Sequence, residues 1–138
     1  VWAGKASASG LIAAYAAEKQ LPAHAPQPTG EEIFAAYAAG ELEACRALKK
    51  FARRVALGII GLQSVLDVER VAIGGGISKQ PLLLDSLRRV YAGLFASRGD
   101  SPYMIGLPRT EIVPCHFSSE ARQAGALYAC LHLLGRLD

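Results

Sequence analysis

Cysteine is scarce in this chain, charge of one sign is nearly balanced by the other, and long apolar runs are missing; each shortage removes a class of protein. Three cysteines, at positions 45, 115 and 130, are too few and too unevenly spaced for a disulfide framework. An odd number of thiols, expected to be buried, suits a reducing compartment, so the chain reads as cytoplasmic. No apolar stretch approaches the roughly 18 residues that a spanning helix requires, which argues against a membrane protein. The opening residues lack the basic stretch and apolar run of a signal peptide, and Val1 is not an initiator methionine, so the sequence reads as a fragment or excised domain. Net charge is only +3, from 15 basic and 12 acidic residues, an excess that selects no partner and does not argue for nucleic acid.

What is present is ordinary globular material. In 138 residues, 51% hydrophobic and 20% charged, there is enough apolar surface for one domain with its own core. Ser7 to Lys19 has the alanine and leucine content of a helix that stops before Pro22, and residues 21–28, with three prolines, read as a connection. Thr29-Gly-Glu-Glu32 has the spacing of a capping box and starts a helix with Ile33, Phe34 and Tyr37 on its apolar stripe and Gly40 at its stop. Leu48, Phe51, Val55, Ile59, Leu62 and Leu66 recur every three or four residues and predict one long buried stripe. Beside it, Lys49, Lys50, Arg53 and Arg54 read as the solvated face of the same helix in preference to a phosphate patch.

The second half alternates strand and helix. Val71-Ala-Ile73 is a short strand feeding Gly74-Gly-Gly76. Pro81 suits the first turn of a helix carrying Leu83, Leu84, Leu87, Val90, Tyr91 and Leu94 to about Ser97, and Arg98 to Pro108 is a loop. Glu111-Ile-Val-Pro114 is a second strand, with its proline at an edge or an end. Ser118 or Ser119 can cap a last helix to about Leu134, and Ala121, Ala124 and Gly125 give that helix a small face suited to close packing. Two strands make a poor sheet alone, so further strands are expected from sequence outside this chain.

Three glycines directly after a strand let the backbone take positive φ and let a ligand approach without Cβ atoms in the way, so Gly74, Gly75, Gly76 and Ile77 are the candidate binding residues. A plain strand-to-helix turn is the competing reading. The loop is neither a Walker motif nor the dinucleotide fingerprint, because no Gly-Lys-Ser/Thr follows and the glycine spacing differs. Cys115-His116 and Cys130-x-His132 lack metal-ligand spacing and read as core thiols and ordinary histidines. Asp67, Glu69, Asp85 and Asp100 show no pairing, so no catalytic residue and no metal ligand is assigned.

In order and spacing these segments resemble the carboxyl-terminal half of ROK-family proteins (repressor, open reading frame, kinase) over nearly the whole chain. Ala6-Ser-Ala-Ser-Gly-Leu11 looks like the stretch after that family's zinc-binding cysteines, and Thr29-Gly-Glu-Glu-Ile-Phe34 like its next helix start. Leu62 to Asp67 followed by Glu69-Arg-Val-Ala-Ile-Gly-Gly-Gly-Ile-Ser78 is the most specific match, to the long helix and adenosine loop. Ile112 to Phe117 and Glu120 to Tyr128 resemble the closing strand and helix, with Ser119-Glu120-Ala121 where the family usually has Asn-Asp-Ala. There the longer acid of Glu120 can still cap the helix, as Ser118 or Ser119 can.

The resemblance implies an α/β fold: residues 1–138 as the carboxyl-terminal lobe of an actin-like, ribonuclease-H-like ATPase, helix-rich with a small incomplete sheet. It implies ATP with magnesium, a hexose or hexose derivative as phosphate acceptor, and a structural zinc whose cysteines lie upstream of Val1. The implied activity is that of a sugar kinase of the glucokinase or β-glucoside kinase type, with this lobe alone inactive; the alternative is the sugar-binding domain of a ROK repressor, with nucleic acid involved only through an upstream winged helix. A homodimer or higher homo-oligomer is expected through the helices around Ile33 to Tyr37 or Leu42 to Leu66.

Overall fold

A computed structural model describes residues 2–22, 24–97, 106–117 and 120–136. Their elements run α1 (Trp2–Lys5), α2 (Ala8–Glu18), α3 (Gly30–Ala38), α4 (Leu42–Leu66), β1 (Arg70–Ile73), a 3-10 turn (Gly76–Lys79), α5 (Pro81–Ser97), β2 (Glu111–Pro114) and α6 (Ala121–Leu133). This is the expected helix-rich α/β arrangement with a small sheet.

The centre of the molecule is α4. Leu48, Phe51, Val55 and Ile59 are buried as their spacing predicts, and Ala44, Ala47, Ala52 and Ala56 are buried beside them. Those alanines lack the bulk that would hold neighbours away, so α2 packs along one flank and α5 along another. The stripe is shorter than its sequence period. Leu62 and Leu66 are 46% and 61% exposed, because beyond Ile59 the inward position is taken by Gln63, which is bound to Thr110. Asp67 then ends the helix in the left-handed conformation, at φ 49°.

β1 and β2 are parallel, with Arg70 opposite Glu111 and Ile73 opposite Pro114. The proline stands at the last position of its strand, where the missing N–H costs least. A parallel pair needs a crossover, and α5 supplies it: Leu83, Leu84, Leu87, Tyr91, Leu94 and Phe95 are buried, while Arg88 Nε donates to the Ile112 carbonyl at 2.9 Å. The Arg70–Glu111 pair at 2.7 Å joins the strands on an exposed surface, where such a pair is worth at most about 1 kcal/mol. Packing of Ile112, Val71 and Ile73 against the core and α5, not that ion pair, holds the sheet.

The last helix departs from expectation. The serines expected to cap it, Ser118 and Ser119, lie outside the described residues; Glu120 stands at the cap position, but its side chain makes no capping bond. None of residues 123–133 is buried, and a Cβ added at Gly125 would meet open space, so the small face is not closely packed. The thiols also differ from the sequence reading: Cys45 and Cys115 are half-buried and Cys130 is exposed, because Cys130 rides on this uncovered helix. His116 and His132 are exposed as well.

Candidate functional site

The carboxyl end of β1 opens directly onto a cleft of about 890 Å³. Gly75 makes the turn. Its φ of 86° and ψ of 171° lie in a region that side chains essentially exclude, so the chain can fold from strand into the 3-10 turn only with glycine there. Ser78, itself buried, closes the loop from below: its N–H and its hydroxyl reach the Gly75 carbonyl at 3.1 and 2.7 Å. A Cβ built on Gly75 or Gly76 would meet nothing within 4 Å, so the bare backbone faces open space instead of a packed neighbour.

Two further walls come from distant sequence. The start of α2 contributes Ser7, Ala8 and Leu11; the start of α3 contributes Thr29, Gly30, Glu31 and Phe34. The first wall is fixed by Gly10, where a Cβ would lie 2.4 Å from the Lys5 carbonyl oxygen, closer than any side chain tolerates. The second is fixed by the expected capping box. Thr29 N–H donates to Glu32 Oε2 at 2.7 Å, and Glu32 N–H donates to Thr29 Oγ1 at 3.2 Å. The amides of Gly30 and Glu31 have no carbonyl partner within their own first turn, which leaves donors at the cleft wall.

All four candidates, Gly74, Gly75, Gly76 and Ile77, line this cleft. Lys79 and Gln80 line it too and were not singled out from sequence; a basic residue two places after Ile77 was the available signal. Glu31 and Lys79 are the charged side chains among the lining residues. Asp67, Glu69 and Asp85 do not line the cleft, and Asp100 lies outside the described residues. Among the described residues no three of His, Cys, Asp and Glu come together to hold a metal ion. The arrangement can bind and orient a molecule with a flat apolar part and hydrogen-bonding groups; it presents no paired acid and base for proton transfer.

A model of the ROK family matches residues 2–131. A ROK family protein from Streptococcus pneumoniae TIGR4, solved in complex with sucrose, superposes with a TM-score of 0.79 at 21% identity, over 98% of this chain and 44% of its own. A ROK family glucokinase from Streptomyces griseus, solved with glucose and AMPPNP, gives 0.70 at 22% identity, over 93% of this chain and 43% of its own. The bifunctional enzymes NanE/NanK of Brucella melitensis and Brucella suis are 43% identical over 56 residues, 41% of this chain and 11% of theirs. The chain thus spans less than half of the solved relatives and about a tenth of the curated ones.

Proposed function

Since the chain belongs to the ROK family, we propose that it is the carboxyl-terminal, adenosine-holding lobe of an ATP-dependent sugar kinase acting on a hexose or hexose derivative. The observation that carries this reading is the glycine loop at the cleft edge, where Gly75 adopts a glycine-only conformation and the Cβ positions of Gly75 and Gly76 face open space. The turn itself demands glycine at Gly75, whereas neither a positive φ nor packing demands one at Gly76, where the missing Cβ leaves the backbone open to close approach of a ligand. The glucokinase with a similar fold was solved with a nucleotide analogue and a sugar, which supports the same pair of ligands here.

In this reading the bound ATP supplies the phosphoryl group, and the residues of this chain bind and orient. The Gly74–Ile77 backbone would hold the adenosine, Phe34 and Leu11 give the cleft its apolar side, and Lys79 would supply positive charge to an anionic ligand. Glu31 is a lone carboxylate at the wall, too little to hold magnesium by itself. The described residues offer no ligand set for zinc, so no step is assigned to either metal. The proton-abstracting base belongs to sequence that this lobe does not include, and the lobe alone transfers no phosphate.

The test is a titration of the chain with ADP and AMPPNP. Saturable binding that Gly75→Val reduces at least tenfold is expected, with no binding of glucose alone. Absence of nucleotide binding, or equal binding by the variant, overturns the reading.

A further inference from the structure

Of the loop residues 74–80, Ser78 alone does not line the cleft, and it is buried. Its N–H at 3.1 Å and its hydroxyl at 2.7 Å both donate to the carbonyl oxygen of Gly75. That carbonyl is therefore turned toward Ser78 and away from the cleft. A trans peptide is planar and carries its N–H on the edge opposite its C=O, so the Gly76 N–H points the other way. Among the described residues that N–H has no backbone acceptor, and the missing Cβ of Gly76 leaves it open to approach.

The glycines themselves do not dictate this orientation. Flipping the Gly75–Gly76 peptide changes only ψ of Gly75 and φ of Gly76. It would keep Gly75 at its φ of 86° and bring Gly76, which is not at positive φ, into that region, and glycine accepts both. The flipped loop would show the cleft a carbonyl oxygen in place of an N–H. What separates the two states is the pair of bonds from Ser78, and the hydroxyl is the part that depends on the side chain. We propose that Ser78 is the positioning residue of this cleft: its hydroxyl locks the Gly75–Gly76 peptide with the N–H edge toward a hydrogen-bond-accepting atom of the bound nucleotide. This role rests on the nucleotide reading of the cleft, since without a ligand there the orientation of one peptide has no consequence.

The experiment compares the wild-type chain with Ser78→Ala and Ser78→Thr in ADP and adenosine titrations, and records amide spectra of the nitrogen-labelled proteins without ligand. Ser78→Ala leaves the Gly75 carbonyl its N–H partner, so the chain folds. Its affinity for ADP is expected to fall about fivefold, the equivalent of one ordinary hydrogen bond. The Gly76 and Ser78 amide resonances should split or broaden while those of α4 and α5 stay in place, a signature that general destabilisation does not give. Ser78→Thr keeps the hydroxyl and should restore both affinity and spectrum. Loss for both ligands puts the acceptor atom on the nucleoside and loss for ADP alone puts it on the phosphates; each supports the proposal. Unchanged ADP affinity in Ser78→Ala, weaker binding with the Gly76 resonance unmoved, or a folded Ser78→Thr that behaves like Ser78→Ala overturns it. A wild type that binds no ADP counts against the nucleotide reading, and the ligand-free spectra then still decide whether the hydroxyl sets the peptide.

Discussion

The hydroxyl of Thr110 donates to Oε1 of Gln63 at 2.6 Å, and both residues are buried where α4 meets the approach to β2. The node is closed on every side. Gln63 Nε2 reaches Asp67 Oδ1 at 3.2 Å, the Val68 carbonyl lies 3.1 Å from the Thr110 hydroxyl, and the Thr110 N–H donates to the Tyr91 hydroxyl at 3.1 Å. Removing one partner strands the other in the interior, which costs about 1–3 kcal/mol. Gln63→Leu and Thr110→Val should each lower stability by that order in urea denaturation. The double variant should cost less than the sum, because no buried partner is then left unpaired. Strict additivity would show that the pair is not coupled.

A second polar cluster predicts a pH dependence. Tyr15 Oη donates to Glu41 Oε1 at 2.7 Å, and Lys19 Nζ lies 3.1 Å from the same carboxylate. The Tyr15 hydrogen bond, with Lys19 adding to it, holds the Glu41 carboxyl below its ordinary range. A depressed carboxylate stabilises the fold above its unfolded pKa, and that stability is lost as pH falls through the folded value. Lys19 and Tyr15 are both raised, chiefly through hydrogen bonds to Glu41, so their contributions are full below their unfolded values and fade in the alkaline range. Urea midpoints of the wild type should exceed those of Glu41→Gln near neutral pH, and the gap should close as pH drops below the ordinary carboxylate range. A gap independent of pH would place the effect in packing.

The elements that sequence made legible are those whose cause is local. The Thr29 capping box, the Pro81 helix start, the Pro114 strand end and the Gly74–Gly76 turn each follow from the geometry of a few adjacent residues, and each stands where expected. What sequence did not reveal depends on distant neighbours. Leu62 and Leu66 continue the α4 period but face solvent, because periodicity says which side of a helix is apolar and not how far its cover extends. Cys130 is exposed for the same reason. Of the site, the glycine loop was legible, but its convergence with Thr29 and Leu11 is tertiary, joining positions more than forty residues apart.

That convergence gives a prediction at Thr29. Thr29→Ala removes the acceptor of the capping box and should cost about 1 kcal/mol of stability. It should also loosen the Gly30–Glu31 wall and weaken ADP binding several-fold in equilibrium titration. Thr29→Ser keeps the acceptor and should restore both. Weakened binding by Ser as well as Ala would mean that the Thr29 methyl, and not the cap, matters to the ligand.

Self-association is the expected outcome where large apolar side chains stand exposed on neighbouring positions of one helix. Sequence pointed to Ile33–Tyr37 or to α4 as the contact. Ile33 and Phe34 are buried within the chain, which leaves the end of α4, where Val65 is 81% exposed, and the uncovered α6, where Leu133 is 86% exposed. A short helix in which none of residues 123–133 is buried is marginal in water, so α6 gains most from a partner. Light scattering over a concentration series should therefore show association at high concentration. Leu127→Asp with Leu133→Asp should shift it to higher concentration more than Val65→Asp does, because only the former changes the helix that has no cover of its own. If Val65→Asp has the larger effect, the contact lies on α4; a monomer at every concentration, with α6 still helical by hydrogen exchange, would show that the helix stands without a partner.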